Sequence, residues 1–301
     1  MDYKSATIKL SEDGNEWDVA VRWDGHNLYG EFCGDVDTAY ALVDALKRYN
    51  INTVATKADC GYKVELITKS LTRIKNDVWI KQLRSVLIEF MRNIFDKYST
   101  SKKQEKRKIL DELARIKSIY KLIAPKLDNT LILRGIEFNV TIFPYRPMVK
   151  IEKRFTSKHL LDRIIKTLTE FGLEQGKHFS VYKTGRMITV HITVDGIRKI
   201  YKIAKRGDAD AIRFINKLVS IVANYDYENG LVGEYSYTRL LYNRWKIGPI
   251  DIDNYSSEDK QTTNEANSDV SSSICSDIVR RYTFKQVGAN YYYSWLFVLQ
   301  Y

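Results

Sequence analysis

The chain has 301 residues, of which 44% are hydrophobic and 12% aromatic, and its formal net charge is +11. This composition excludes a disordered protein, because it supplies enough apolar residues for one or two ordinary cores. No apolar run reaches the roughly 18 residues that a membrane span needs, and residues 1–5 lack the charged-then-apolar pattern of a signal peptide. We therefore expect a cytoplasmic protein without a membrane partner.

The positive charge is concentrated in the middle of the chain. Residues 146–206 hold 15 Lys or Arg against 5 Asp or Glu, whereas residues 251–277 hold seven acids against one lysine. A basic surface attracts polyanions through counterion release and long-range steering. The charge therefore predicts a nucleic-acid partner, with duplex DNA first, although a basic protein can also carry its charge for solubility alone.

The first third of the chain has an apolar pattern that changes from period two to the helical period and back. Asp13 and Gly14 lie between two alternating stretches, which is typical of a hairpin, and Asp35 can cap the helix that follows. The predicted elements are, in order, strands at 7–10, 17–21 and 27–32, a helix at 36–50, strands at 51–56 and 62–68, and a helix from about 71 to 95.

The same order of elements returns between residues 130 and 222. The predicted strands lie at 131–133, 138–142, 149–155, 179–183 and 187–194, with a helix from Ser157 to Gly172 and another that ends near Val222. We therefore predict an α+β fold with two tandem ββ(β)αββα units related by duplication and joined by a basic helix. The alternative is coincidence, since strands and helices recur in any α+β protein.

That joining helix is predicted at residues 101–125. Its apolar side chains recur at alternating spacings of four and three, while lysines and arginines fill the other faces, and Pro125 ends it. The cationic face either contacts phosphate or is simply solvated, and the sequence leaves both open.

The pattern divides the chain into six segments. They are a first α+β repeat at 6–95, the linking basic helix at 101–125, a second α+β repeat at 130–222, an aromatic-rich extension at 223–254, an acidic flexible linker at 255–277, and an aromatic C-terminal strand or hairpin at 278–301. Eight aromatic residues lie between Tyr282 and Tyr301. Because so much aromatic surface is costly to expose, we expect this segment to fold back or to bind a protein partner, including a second copy of the chain.

Motifs for metals, cofactors and catalysis are missing from this pattern. The cysteines Cys33, Cys60 and Cys275 are odd in number and widely separated, so we expect reduced thiols rather than a disulfide framework or a zinc site. The histidines are scattered singly at His26, His159, His178 and His191. The glycines also occur singly at turns rather than in a phosphate-binding loop. We predict no cofactor, no metal and no catalytic residue, and a binding protein rather than an enzyme.

Two stretches carry a resemblance to a known family. The first runs from Leu28-Tyr29-Gly30-Glu31-Phe32 to Thr68, and the second from Arg154-Phe155-Thr156-Ser157 to the turn Glu174-Gln175-Gly176-Lys177-His178-Phe179. They resemble the PaREP-type paralogous repeat proteins of crenarchaea, a multicopy archaeal family without an established activity. The resemblance covers about residues 6–225.

More remotely, each repeat is similar to half of a LAGLIDADG homing endonuclease without its first helix. The resemblance implies a pseudo-twofold saddle of β-sheet whose exposed face meets a DNA duplex. The paired catalytic carboxylates of those enzymes are not evident, because the stretch before Asp128 lacks the glycines of the motif and contains Pro125, and the first half offers only Asp2. Asp128 is either a metal ligand of a degenerate or active nuclease or, as the pattern favours, a turn residue.

We predict a nucleic-acid-binding protein without catalytic activity that uses the basic surface of its duplicated fold. The alternatives are a metal-dependent homing-type endonuclease and a protein-interaction module that uses the aromatic C-terminus. The residues predicted to contact phosphates are Lys150, Arg154, Lys183, Arg186, Lys202, Lys205 and Arg206.

Overall fold

In a computed structural model of the chain, residues 4–251 are described. The segments predicted at 255–277 and 278–301, Cys275 and Asp2 therefore lie outside the described residues. The described part divides into two compact units. The first unit comprises residues 4–127, Ile142–Met148 and Asn224–Leu231, and the second comprises Asp128–Thr141, Val149–Ala223 and 232–251.

The first five strands form one antiparallel sheet in the order β1-β2-β3-β5-β4. The strands are β1 (Ser5–Glu12), β2 (Asn15–Trp23), β3 (Leu28–Gly34), β4 (Ala55–Ala58) and β5 (Gly61–Ile67). The helices that accompany them are α1 (Val36–Lys47), α2 (Thr68–Leu71), α3 (Asp77–Thr100) and α4 (Lys103–Ile123).

The second five strands form a sheet in the corresponding order, β6-β7-β8-β10-β9. The strands are β6 (Thr130–Leu133), β7 (Ile136–Phe143), β8 (Met148–Phe155), β9 (Phe179–Thr184) and β10 (Met187–Ile192). The helices are α5 (Lys158–Glu170), α6 (Val194–Ala204), α7 (Ala209–Glu228) and α8 (Tyr237–Arg239), with a 3₁₀ turn at Gly233–Tyr235 and a π-helical turn at Leu240–Trp245. The α+β duplication predicted from the sequence is confirmed. Helices and strands follow one another along the chain in the same order in both halves, and the two sheets have corresponding strand orders.

Alternating apolar residues place the core on one face of each sheet. In the first unit Leu10 and Trp17 oppose each other on β1 and β2, and both are almost completely buried. In the second unit Leu131 opposes Phe138, and Ile192 opposes Phe179, again with all four side chains buried. Burial of each such side chain contributes about 1.5–3 kcal/mol, so the period-two pattern fixes which face is covered.

Polar side chains at the helix starts explain where several helices begin. Asp35, Asn76, Ser157 and Thr193 each accept a backbone N–H three residues further on, at the starts of α1, α3, α5 and α6. These bonds satisfy amides that would otherwise lack a partner. Helix α4 differs, since its first flanking residue is Lys102 and makes no such side-chain bond.

The helix predicted from about 71 to 95 is divided into two. Helix α2 ends at Leu71, and α3 begins only at Asp77, after Asn76 has capped it. A corresponding break separates α6 from α7, where Gly207 adopts φ +92° and the Asp208 carboxylate accepts the Ala211 N–H. The buried Ile74 between α2 and α3 keeps the apolar pattern intact through the break, which is why the sequence indicated one helix.

Strand β4 begins at Ala55 rather than at the predicted residue 51. Asn50 takes a left-handed conformation with φ +55°, and the Ile51 N–H bonds back to the Leu46 carbonyl. Ile51 is therefore the buried residue that closes α1.

The prediction of reduced thiols is wrong for two of the three cysteines. Cys33 on β3 and Cys60 in the β4–β5 turn form a disulfide, with Cα atoms 6.1 Å apart. The pairing of β3 with β5 places Cys33 opposite Lys63, only three residues from Cys60. The sequence spacing of 27 residues gave no hint of this proximity, because it arises from strand pairing across α1.

Within residues 4–251 no helix is both long and apolar enough to cross a lipid bilayer.

Candidate nucleic-acid interface

Strand register assigns the side chains of the second sheet to two faces. Ile188 on β10 opposes both Phe155 and Lys183, whereas its neighbour Thr189 opposes both Arg154 and Tyr182. Directly opposed residues share a face, and successive residues on a strand alternate between faces. Lys183 therefore lies on the face that carries the core, and Arg154 lies on the opposite one. We call the face that carries Arg154, Tyr182 and Thr189 the polar face of the second sheet.

A buried carboxylate organises the polar face. Glu152 is 4% exposed, and its two oxygens accept hydrogen bonds from the Arg154 guanidinium and from the Tyr182 hydroxyl, the latter at 3.2 Å. Burying a carboxylate without partners costs roughly several kcal/mol, and these two bonds offset that cost. Glu152 thereby fixes two groups that remain accessible: the Arg154 side chain is 63% exposed and Tyr182 is 42% exposed.

The same carboxylate and its surroundings affect the titration of the neighbouring phenol. Burial is the main cause that raises the pKa of Tyr182, and the negative charge of Glu152 and the hydrogen bond to it raise it further. Tyr182 therefore stays a neutral hydrogen-bond donor throughout the physiological pH range.

His191 completes this part of the polar face, directly opposite Glu152 on β8 and Ser180 on β9. Its Nδ1 lies 3.2 Å from the carbonyl oxygen of Ile151, which requires a hydrogen on Nδ1. Burial lowers the pKa of His191. The neutral imidazole is thus favoured, with Nε2 left as an acceptor.

The predicted phosphate contacts on the second unit fall into three groups. Lys150 and Arg154 lie on β8, two positions to either side of Glu152, and so share the polar face. Lys183 and Arg186 flank the tight β9–β10 turn, where Gly185 has φ +60°. The third group lies at the end of α6 and comprises Lys202, Lys205 and Arg206. The single sheet face that the resemblance implied thus contains only the first group.

Several of these cations have no internal counter-charge. Lys183, Arg186, Lys202 and Arg206 are all exposed, and none forms an ion pair with any residue between 4 and 251. Lys205 differs, because its ammonium lies 4.7 Å from the centre of the Tyr201 ring. Arg154 also differs, because Glu152 neutralises it.

On the corresponding face of the first sheet two lysines pair with carboxylates, whereas Arg22 is exposed without an ion-pair partner among the described residues. Lys9 pairs with Glu16 at 2.8 Å, and Lys63 lies 3.2 Å from Glu31 and 2.6 Å from Glu65. The two sheets therefore share a strand order, and each pairs cations on this face with its own carboxylates.

Asp128, the residue considered as a metal ligand, is held as a turn residue. One of its oxygens accepts the Thr130 N–H at 3.0 Å, and the other pairs with the Lys217 ammonium at 2.8 Å. The hydrogen bond from Lys217 is the main cause that lowers the pKa of Asp128. Among residues 4–251, no group of three or more His, Cys, Asp or Glu side chains has a geometry that could hold a metal ion.

The sequence missed the roles of Glu152, Tyr182 and His191. The alternation of Lys150, Glu152 and Arg154 on one strand was a usable signal, because it places an acid between two bases on the same face. Tyr182 and His191 could be found only after the register of β8, β10 and β9 was known.

A protein-family model described as PaRep2b protein matches residues 1–188 and 155–230. These matches extend over more than half of the sequence, and the chain belongs to the PaRep2b family, as the resemblance predicted. No curated protein matches the chain. Among solved structures it is similar to a LAGLIDADG meganuclease, I-AabMI, bound to uncleaved DNA, with 10% identity and a TM-score of 0.20. That match covers 77% of this chain and 91% of the meganuclease chain, and at this TM-score it carries no functional argument.

Proposed function

We propose that this protein binds nucleic acid through the basic surface of its second unit, without catalytic activity. The observation that supports the proposal is the set of exposed cations at the β9–β10 turn and the end of α6. Lys183, Arg186, Lys202 and Arg206 have no ion-pair partner among the described residues. A cation that is not neutralised within the protein can replace a counterion on a phosphate, and the released counterion drives binding.

The polar face adds a different kind of contact to this proposal. Arg154 presents several N–H donors in a planar fork that suits phosphate oxygens and guanine edges, and Tyr182 presents an exposed ring beside it. Because Glu152 already holds both side chains, little conformational freedom is lost when a ligand binds them. Lys150 lies on the same face and is the second cation that we assign to it.

Salt dependence of binding tests the proposal. The double variant Lys183→Ala with Arg186→Ala removes two unpaired cations, and the matched control Lys166→Ala with Lys177→Ala removes two that pair with Glu170 and Glu174. Affinity for a mixed-sequence DNA duplex is measured by fluorescence anisotropy between about 50 and 200 mM salt.

The two double variants have the same net charge, so they separate local contact from overall attraction. We expect the slope of log affinity against log salt to fall by about 2 for the β9–β10 variant, at about 0.9 per phosphate lost, and to change little for the control. Absence of binding at low salt, or equal slopes in all three proteins, would reject the proposal.

A preference for duplex DNA and a cytoplasmic location belong to the same proposal. An RNA duplex of the same sequence tests the first point, since A-form geometry presents the phosphates differently. Tighter binding of the RNA would replace DNA by RNA as the ligand, and equal binding would remove the preference.

A further inference from the structure

The connection between α3 and α4 is the most cationic short stretch of the first unit. Helix α3 ends at Thr100 and α4 begins at Lys103, so the two helices are joined by only Ser101 and Lys102. Residues 96–108, which we call the α3–α4 tip, contain six Lys or Arg and two Asp or Glu. The cations are Lys97, Lys102, Lys103, Lys106, Arg107 and Lys108.

Most of this charge lacks an internal partner. Lys102, Lys103, Arg107 and Lys108 are exposed, and no hydrogen bond or ion pair joins their side chains to the described residues. Other lysines of the first unit do have such partners, for example Lys9 with Glu16 and Lys47 with Asp44. The tip is thus a local excess of positive charge.

The charge at the tip costs the helix some stability. Lys103 and Arg107 are four residues apart on α4, and like charges at that spacing destabilise a helix. An external anion would remove this repulsion. In the second unit the buried Glu152 supplies the negative charge that pairs with Arg154. The only acids within the tip are Asp96 and Glu105.

Aromatic rings support the tip from beneath. The Lys106 ammonium lies 5.1 Å from the centre of the Tyr98 ring, and the Tyr98 ring stacks on Phe95 at 6.0 Å with an interplanar angle of 23°. Phe95 in turn contacts Tyr145 at 5.4 Å, and Lys117 lies 5.2 Å from the centre of that ring. These contacts connect α3 and α4 to the β7–β8 turn. The cations therefore lie at the ends of two packed helices rather than on a long loop.

We propose that the α3–α4 tip is a second binding surface for the phosphate backbone of a nucleic acid, located in the first unit. A run of exposed cations next to half-buried aromatic rings suits a strand whose phosphates bind the cations and whose sugars and bases lie against the rings. The proposal relies on the proposed function only for the identity of the polyanion. It assigns a separate set of residues, so the two can fail independently.

A membrane surface is the competing polyanion, and the tip does not suit it. Insertion into the lipid boundary requires large apolar side chains on the same face as the cations. Leu110 follows Arg107 by three positions on α4 and lies on the same face, but it is a single exposed apolar side chain, and none lies within residues 96–108, all of which are described.

The test uses the full chain and a double variant, Lys103→Ala with Arg107→Ala. Alanine has the highest helix propensity, so α4 should be retained, which far-UV circular dichroism checks. The matched control is Lys9→Ala with Lys47→Ala, which removes two exposed, ion-paired lysines of the same unit. Single-stranded and duplex DNA are titrated between about 50 and 200 mM salt, and phosphatidylserine-containing vesicles are the comparison ligand.

We expect the tip variant to lose about 2 from the duplex salt slope and about 1.4 from the single-strand slope, at 0.9 and 0.7 per phosphate, while the control keeps both slopes. A tip variant that behaves like the wild type while the β9–β10 variant loses its slope would overturn this inference and leave the proposed function standing. A lower salt slope for the tip variant alone would support this inference and would remove Lys183 and Arg186 from the interface. No DNA binding by the wild type, or binding of vesicles in place of DNA, would overturn both.

Discussion

The Tyr182 hydroxyl on β9 donates to Glu152 on β8 across the intervening strand β10, at 3.2 Å, although the two residues are 30 positions apart in the sequence. The second oxygen of Glu152 accepts from Arg154, so one buried carboxylate controls two exposed side chains. The accessible surface of this part of the sheet therefore depends on a residue that a ligand cannot reach.

Replacement of Glu152 by Gln tests this dependence. The substitution removes the negative charge next to Tyr182, so the pKa of Tyr182 should fall. The pKa is measured by carbon-13 NMR of labelled tyrosine, with Tyr182→Phe to assign the signal. An unchanged Tyr182 titration would show that Glu152 does not set the environment of the phenol.

Stability should depend on pH through His191. Burial lowers the pKa of His191 below its ordinary value of 6.5, so the unfolded chain takes up this proton at a higher pH than the folded protein does. The stability that neutral His191 contributes is therefore present above pH 6.5 and is lost as the pH falls from there towards the folded pKa. Urea denaturation should show a smaller loss of stability on acidification for His191→Gln than for the wild type.

The exposed His159 provides the control for that experiment. His159→Gln makes the same substitution at a histidine that is exposed in the folded protein, so it controls for the loss of a histidine as such. Identical profiles for His191→Gln and the wild type would contradict the role given to burial.

The Cys33–Cys60 disulfide should stabilise the first unit. A crosslink between residues 27 positions apart restricts the unfolded chain by about 3–4 kcal/mol in the loop-entropy model. Reduction with dithiothreitol should lower the urea midpoint of the wild type. The double variant Cys33→Ser with Cys60→Ser should start from the lower midpoint and not respond to the reductant. A midpoint that reduction leaves unchanged would mean that the bond contributes nothing to stability in solution.

We expect Lys102 to lower the stability of the protein and to strengthen its binding to nucleic acid. Lys102→Ser places a capping hydroxyl where α4 has no side-chain cap and removes a cation from the positive end of the helix dipole. We expect a gain of about 0.5–1 kcal/mol in the free energy of unfolding, measured in urea. If the α3–α4 tip binds phosphate, the same substitution should weaken duplex binding at low salt. Equal affinity together with higher stability would exclude Lys102 from the interface.

The duplicated fold could be predicted because its evidence is local and periodic. Period-two alternation places apolar residues such as Trp17 and Phe138 on the covered face, and capping residues such as Asp35 and Ser157 mark the helix starts. These signals lie within a few residues of each other, so they can be read from a single sequence. The order of elements along the chain could be predicted because both halves repeat it.

The candidate site was less accessible to sequence analysis, because it depends on which strands are neighbours. Arg154 and Lys183 were grouped by charge, yet the register of β10 assigns them to opposite faces. The disulfide was missed for the same reason, since β3 and β5 bring its two cysteines together only after folding. Spacing along the chain cannot reveal pairs that strand pairing creates.

Each five-stranded sheet makes its backbone hydrogen bonds among its own strands. A substitution on the surface of one sheet therefore leaves the ladder of the other intact, and the two halves can diverge without a common penalty. In the first half Glu16, Glu31 and Glu65 offset the lysines beside them, while in the second half Lys183 and Arg186 are uncompensated. Each half can therefore change its surface charge while the strand order of both is kept.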